Sequence, residues 1–350
     1  MAQRPLLTVL AVAAVIAVGA VLVAALGPGG GGKHLKTATA ARGSVAPAAS
    51  APLRQRGIYN ANVSPRAFSA AVADEITGPD GSRNQGSELQ PLPVHDFDAP
   101  IRAYRHYAEG QARAMAAPAA RLTAALRRGD RAGARTAWRA AYDRYLRLGA
   151  AYGALGDLDV AIDGGAGGLR GGVHDPRFTG LHRVEHELWS GTPTARIVRW
   201  SVRLARDVAK LPRALAVLDI TPLDYATRAH EILEDAQRDQ LSGRAARWSG
   251  AGVAATADGL AATDRVMATL SHTLAGRESV RQAVATGLGT LRRTLASVRA
   301  AHHGAYPALS RLSRTERARL NGALGTALET LALVPGALET ARPPTVTPIP

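Results

Sequence analysis

The apolar residues of this chain recur mostly at the three-to-four-residue spacing of an α-helix, and no alternating strand pattern is long enough to score. Breaks in this pattern mark the helix boundaries. Asp98 stands where it can cap a first helix over about 98–128. Gly and Asp at 129–130 interrupt the pattern, and a second helix is predicted over about 132–154.

Two further helix starts have clear capping signals. Thr221 precedes Pro222 and is followed by Asp224, which places a capping hydroxyl, a first-position proline and an acid in one turn. Ser313 and Glu316 have the spacing of a capping box. Together with the periodic segments between them, these signals predict about eight helices. The predicted fold class is therefore all-α, an up-and-down helical bundle or two packed bundles.

Composition supports this prediction. Hydrophobic residues make up 46% of the chain but aromatic residues only 4%, and Ala and Leu dominate the apolar set, which favours helices over strands. The chain has no cysteine, so disulfides, cysteine-ligated zinc sites and iron–sulfur clusters are excluded.

The formal charge of +15 raises the question of a nucleic-acid partner. The arginines are scattered through helical patterns together with Asp and Glu, and no aromatic-plus-basic stripe or recognition-helix pattern accompanies them. We therefore predict no nucleic-acid partner and interpret these charges as solvated helix faces.

The N-terminus predicts a membrane segment. Leu6–Leu26 is a run of 21 uncharged, mostly aliphatic residues behind Arg4, which matches the ~20 residues that a spanning helix needs. We favour an uncleaved signal anchor, with cleavage after the small residues at 38–40 as the alternative. In both cases the rest of the chain is extracytoplasmic, at the cell surface or in the periplasm. The predicted divisions are a signal anchor (1–26), a flexible linker (27–54), an irregular N-terminal extension (55–97), a helical domain (98–342) and a Pro-rich tail (343–350).

The segment from 156 to 189 contains the residues best suited to chemistry. Thr179 is a candidate cap that places His182 in the first turn of a helix, and Glu185 follows three residues later on the same face. An imidazole and a carboxylate suit a divalent cation, but two ligands alone do not hold one. Further oxygens are available from the preceding acidic residues Asp157, Asp159 and Asp163.

A second cluster comprises His230, Glu231 and Glu234, with His230 and Glu234 at the edge of a buried helix face. Metal sites in helical bundles are built from inward-facing His and carboxylate side chains on separate helices. We therefore predict that both clusters contribute to one site and that its carboxylates converge on the His182 ring. The predicted ligands are His182, Glu185, Asp163 and Glu234, with Asp157, Asp159, His230 and Glu231 as further candidates and no catalytic residue.

Each cluster also has an ordinary structural interpretation. A His and a Glu three or four residues apart commonly form a surface ion pair, which applies to both clusters. Asp157 and Asp163 flank a Gly-rich loop, where capping and solvated charges are common.

The runs 156–163 and 178–189 resemble the imelysin-like family, and most closely its EfeO-type branch of bacterial iron-uptake proteins. Gly180, His182 and Glu185 match the G-x-H-x-x-E signature of that family, and 229–243 resembles a second family segment. The resemblance extends over roughly 98–336.

This resemblance implies two packed four-helix bundles with a metal site in the cleft between them. It also implies that the chain captures iron outside the membrane and that its partners are an oxidase-type iron permease and a haem peroxidase. Imidazole and carboxylate ligands also accept zinc or copper. The chain departs from many relatives in two places: Leu146 replaces a glutamate that is a proposed ligand, and Gly149 stands where some relatives have an acid.

Two other functions remain open. His182, Glu185 and His186 fit the H-x-x-E-H pattern, in which two histidines bind zinc and the glutamate is the base of a metallopeptidase. In the iron-binding interpretation His186 is dispensable and points elsewhere. The loss of the family glutamate at Leu146 favours a third alternative, a structural envelope protein with a vestigial site.

Overall fold

The computed structural model describes residues 90–151 and 154–340, which are helical apart from loops and one isolated backbone bridge between Leu92 and Thr340. The α-helices of these ranges are α1 (Asp98–Arg127), α2 (Arg131–Leu146), α3 (Asp157–Asp163), α4 (Gly180–Trp189), α5 (Thr194–Val208), α6 (Leu211–Ala216), α7 (Pro222–Asp235), α8 (Gly252–Thr269), α9 (Glu278–Ala301), α10 (Arg314–Leu331) and α11 (Leu333–Ala337). Ala236–Leu241 continue α7 as a π-helical segment. The predicted all-α class is confirmed.

The long helices pack through faces rich in Ala and Leu. Helix α1 packs along α2, α5 and α6, while α9 packs along α10, and α8 packs against α7 and its π-helical extension. The largest buried side chains include Trp138, Tyr104 and Tyr142, so the few aromatic residues are concentrated in the core. The division into two four-helix bundles stays a prediction.

Two of the predicted helix starts are confirmed and one is shifted. The Thr221 hydroxyl accepts a hydrogen bond from the backbone N–H of Asp224 at 3.1 Å. Ser313 and Glu316 form a reciprocal capping box. Asp98, predicted to cap α1, is instead its first residue, and Phe97 occupies the capping position without a side-chain hydrogen bond.

The second predicted helix is wrong in its extent, because α2 ends at Leu146 and not near residue 154. Gly149 has a φ of +54°, outside the helical region, and the chain continues as a short 3₁₀ turn over Gly149–Ala151. A Cβ atom at this glycine would lie 2.6 Å from the Tyr104 hydroxyl and 2.9 Å from Ala262 Cβ. This chain therefore has no room for an acidic side chain at position 149.

Within 90–151 and 154–340, none of the helices combines the length and apolar character needed to span a membrane. The predicted anchor, linker and Pro-rich tail lie outside the described residues, and so does most of the predicted extension. Those predictions stand unchanged.

The candidate site lies on the short helices between the long ones. Helix α3 packs against α4 and α5, and α4 also packs against α2. The loop after the π-helical segment reaches α4 through Trp248 and Ser249. Residues from four separate stretches of sequence therefore meet around α4.

Candidate metal centre

Gly180 is the residue that lets α3 approach the start of α4. It has a φ of +77°, and a Cβ atom there would lie only 2.6 Å from the Ala161 carbonyl oxygen and would also collide with the Ile162 carbonyl. The Thr179 hydroxyl donates to the same Ala161 carbonyl at 3.2 Å, so it joins the two helices and does not cap α4 as predicted. The end of α3 is thus brought to the first turn of α4, where His182 is located.

His182 is buried, with a carboxylate on each side of its ring. Its Nδ1 lies 2.9 Å from Glu185 Oε2, and its Nε2 lies 3.3 Å from Asp163 Oδ1. The Tyr142 ring packs against the imidazole in a T-shaped arrangement, with 5.6 Å between ring centroids. Asp163, His182 and Glu185, called the acid–histidine trio below, are thus in direct contact.

Glu185 is completely buried, and both of its carboxylate oxygens have partners. While Oε2 contacts His182, Oε1 accepts from the backbone N–H of Trp248 at 3.1 Å. The same oxygen accepts from the backbone N–H of Ser249 at 2.8 Å and from its hydroxyl at 2.7 Å. This carboxylate is fixed in position, as a buried charge requires.

Asp163 is the member of the trio that reaches solvent, with 28% of its side chain exposed. Its Oδ1 is nevertheless buried, and within the described ranges it has no hydrogen-bond partner of good geometry. The atom that it faces is His182 Nε2. This carboxylate oxygen and the imidazole nitrogen are two atoms that can bind a cation once the nitrogen has released its proton.

The electrostatics of the trio also favour positive charge. Burial acts to lower the pKa of His182, but the carboxylates of Asp163 and Glu185 outweigh it and raise this pKa to about 10. Burial, reinforced by the charge of Asp163, raises the pKa of Tyr142 well above its usual value, so its hydroxyl stays neutral and bonds to Gln240. Two carboxylates thus flank one positive ring, which leaves an excess of negative charge.

The other acids predicted on α3 lie outside these contacts. Asp157 is exposed at the first position of the helix. Asp159 accepts from the Tyr145 hydroxyl at 2.8 Å and from the Leu155 backbone N–H at 2.6 Å. Burial raises the pKa of Asp159 to about 6. The contacts of Asp159 join α3 to α2 and do not involve His182.

The second predicted cluster forms pairs of its own on α7. His230 Nδ1 lies 3.6 Å from Glu234 Oε2, and both side chains are partly exposed. A hydrogen bond from His230 lowers the pKa of Glu234. Glu231 pairs with Arg228 at 3.0 Å. The structure does not place Glu234 among the contacts of the trio.

In residues 90–151 and 154–340, no three His, Asp or Glu side chains converge in a way that would hold a metal ion. The trio does not converge because the two ring nitrogens of His182 point to different carboxylates. The ring therefore lies between Asp163 and Glu185 instead of sharing a central point with them. Metal ligation by the predicted residues stays a prediction.

His186 lies apart from the trio. Its ring contacts the Trp248 ring edge-on, with 4.8 Å between centroids, and it also packs near Phe178. Burial lowers the pKa of His186. The two histidines of the H-x-x-E-H pattern therefore have different surroundings.

Sequence reasoning missed the residues that hold the trio in place. Tyr142, Trp248 and Ser249 contact its members from distant parts of the chain, and Gln240 in turn bonds to Tyr142. Ser249 is 64 positions from Glu185, and no helical or turn spacing links the two. Only the tertiary contact reveals this pairing.

Comparisons with known proteins agree with the resemblance seen in the sequence. The chain is similar to the protein named "Iron uptake system component EfeO" of Escherichia coli strain K12 and to that of Shigella flexneri, at 26% identity over 149 residues. The matched segment covers 43% of this chain and only 40% of each relative. The family model described as imelysin (Peptidase_M75) matches residues 100–324, well over half of the chain. This chain belongs to the imelysin family.

Proposed function

We propose that this chain is an extracytoplasmic metal-binding component of an iron-uptake system and that it takes up its cation between Asp163 and His182. The observation behind this proposal is the buried Asp163 Oδ1, which lies 3.3 Å from His182 Nε2 and lacks a satisfactory hydrogen-bond partner in the described ranges. A cation bound there would displace the proton of His182 Nε2 and coordinate both atoms.

In this proposal Glu185 orients His182 and does not bind the cation itself. Its two oxygens are already engaged, one of them with His182 Nδ1 at 2.9 Å. A carboxylate on the second ring nitrogen is a common way to fix the orientation of a metal-binding histidine and to increase its basicity. Ser249 and Trp248 in turn hold Glu185, so the ring has a rigid support.

Two protein ligands are few for a tightly held cofactor, but they suit a transported ion. A carrier must release its cargo, so part of the ion's coordination shell is expected to come from water or from the donor and acceptor of the ion. Because Asp163 is 28% exposed, the ion has access from the solvent side. The metal is therefore proposed to be transported cargo and not a resident cofactor.

Iron is the proposed cargo because the relatives named above are iron-uptake components. An imidazole–carboxylate pair also accepts zinc and copper, and intrinsic affinity favours these two over Fe(II). An oxidase-type permease and a haem peroxidase are the proposed partners of the chain, as the family resemblance implies.

Replacing Asp163 with asparagine tests this function. We expect the Asp163→Asn protein to bind Fe(II) at least about tenfold more weakly than the parent chain in anaerobic titrations, a loss that even outer-shell partners of a metal site produce. Asp157→Asn is the matched control, because it removes the same charge from the exposed start of the same helix. Titrations with zinc and copper would rank the metals.

Equal affinities for the Asp163→Asn and Asp157→Asn proteins would contradict the proposed site. If the parent chain bound none of the three metals, the structural-envelope alternative would replace the proposal. Leu146 stands where the family resemblance implies a glutamate in many relatives. It is buried and supplies no carboxylate, which agrees with the structural-envelope alternative.

The geometry favours metal binding over peptidase activity. A zinc peptidase of the H-x-x-E-H type needs both histidines on one ion and a glutamate free to act as base. Here His186 packs against Trp248, and both oxygens of Glu185 are engaged. Metal-dependent cleavage of peptides by the purified chain would contradict this choice.

The location is tested by cell fractionation. Because Leu6–Leu26 is long enough to cross a bilayer, the mature chain should keep its N-terminus and remain with the membranes after washing in high salt. Recovery of a water-soluble exported protein that begins near Ala41 would show instead that the segment is a cleaved signal.

A further inference from the structure

A basic cavity lies between α3 and α5, on a side of α3 that the metal proposal does not use. It has a volume of about 710 Å³ and is open to solvent. Its apolar wall contains Leu158, Ala161 and Val202, and its polar wall contains Arg199, Arg203, Arg206, Lys210, Asp157 and Asp207. Four basic side chains thus face two acids.

Part of this charge is neutralised within the protein. Asp207 is buried, and its carboxylate accepts from Lys210 Nζ at 2.6 Å, while Arg203 Nε lies 4.0 Å away. Asp207 therefore anchors one end of the basic wall.

The remaining arginines have no such partner. Arg199 stacks on the Trp200 ring, with its guanidinium carbon 4.7 Å from the ring centroid. Within residues 90–151 and 154–340, neither Arg199 nor Arg206 forms a hydrogen bond or an ion pair through its guanidinium group. Two guanidinium groups thus line one cavity with their planar donor forks available.

We infer that this cavity binds a small soluble polyanion that carries two or more carboxylate or phosphate groups. Guanidinium groups pair with carboxylate and phosphate oxygens through two parallel hydrogen bonds, so Arg199 and Arg206 can each take one anionic group. The volume lies within the usual range of about 300–1,000 Å³ for small-molecule sites. Leu158 and Val202 provide apolar surface for the carbon skeleton of such a ligand.

This site is separate from the metal proposal. Asp157, at the edge of the cavity, is six residues before Asp163 on α3. A helix rises about 1.5 Å per residue, so these two positions are about 9 Å apart along the axis. An experiment that disproves one of the two sites therefore does not affect the proposal for the other.

Isothermal titration of the full-length protein with citrate and with pyrophosphate, in metal-free buffer, tests the inference. We expect saturable binding of one molecule of citrate or pyrophosphate per chain, which weakens as salt is added, and no saturable binding of acetate. No saturation with either polyanion would overturn the inference, and so would equal binding of acetate.

Two double variants distinguish specific binding in the cavity from a general effect of positive charge. Arg199→Gln/Arg206→Gln should weaken binding by about tenfold or more, because it removes both donor forks. Arg314→Gln/Arg319→Gln removes the same charge from exposed positions of α10 and should leave the affinity unchanged.

Equal losses in the two double variants would show that net charge alone attracts the anion and would overturn the inference. Binding to vesicles of phosphatidylglycerol without binding of the soluble polyanions would also overturn it, because the basic wall would then be a membrane-facing surface.

Discussion

Replacing His182 with alanine should lower the free energy of unfolding of the metal-free protein by about 3–5 kcal/mol, the range found when one partner of a buried ion pair is removed. The ring is buried between Asp163 and Glu185, and Glu185 has no exposed surface. Without the ring, this buried carboxylate loses its positive partner while its other oxygen stays bound to Ser249. Urea denaturation with a chelator present measures the change.

His230→Ala is the matched control, because His230 also pairs with a glutamate on the same helix but at 3.6 Å and with partial exposure. Its loss should cost no more than about 1 kcal/mol, as for other exposed pairs. Equal and small effects of both substitutions would mean that His182 does not balance the buried carboxylates, and the electrostatic description of the trio would then be wrong.

The second large effect is expected at Gly180. Gly180→Ala should destabilise the protein by about 2–5 kcal/mol, which combines the strain of a left-handed backbone with overpacking. The added Cβ would meet the backbone carbonyls of Ala161 and Ile162, which cannot rotate away as a side chain can. Because α3 has to move outward, the Asp163 carboxylate should also separate from His182, and metal affinity should fall.

Gly168→Ala separates the two contributions. Gly168 has a φ of +81° but open space around its Cα, so alanine there should cost only the backbone strain of about 1–2 kcal/mol. If urea denaturation gave the same change in the free energy of unfolding for both alanine variants, close contact between α3 and α4 would not be the reason for glycine in the signature.

Local sequence signals predicted two of the four proposed helix caps, whereas the caps expected at Asp98 and Thr179 do not form. The caps at Thr221 and Ser313 depend on residues within one helical turn, and both form as predicted. The contact of Asp163 with His182 also follows from a local feature, since the Gly-rich loop between them returns the chain to α4. These predictions needed no knowledge of distant residues.

Long-range contacts could not be predicted from the sequence. Glu234 and His230 share one helical face, a pattern that fits either a local ion pair or a contact with His182. In the structure the two residues pair with each other. The partners of Glu185, at Trp248 and Ser249, belong to a loop more than 60 positions away. Tyr104 and Ala262, which fill the space beside Gly149 after the end of α2, are likewise far from it in the sequence.

The structure also gives a physical account of one departure from the family pattern. An acid at position 149, which the family resemblance implies for some relatives, would need the space that the Tyr104 hydroxyl occupies in this chain. That hydroxyl accepts from the Ala150 backbone N–H at 2.6 Å. Position 146 is a buried leucine, so this chain lacks a carboxylate at both 146 and 149. The proposed site therefore depends on Asp163 as its solvent-accessible anion.

The most direct test of the proposed metal centre is a crystal structure of the protein prepared with iron, with diffraction data collected on both sides of the iron absorption edge. We expect one anomalous peak between Asp163 and His182, about 2.0–2.2 Å from His182 Nε2, as for other first-row ions bound by histidine. Glu185 should still contact Nδ1 of the same ring. An iron peak at the His230–Glu234 pair, or no peak near His182, would contradict the proposed metal centre.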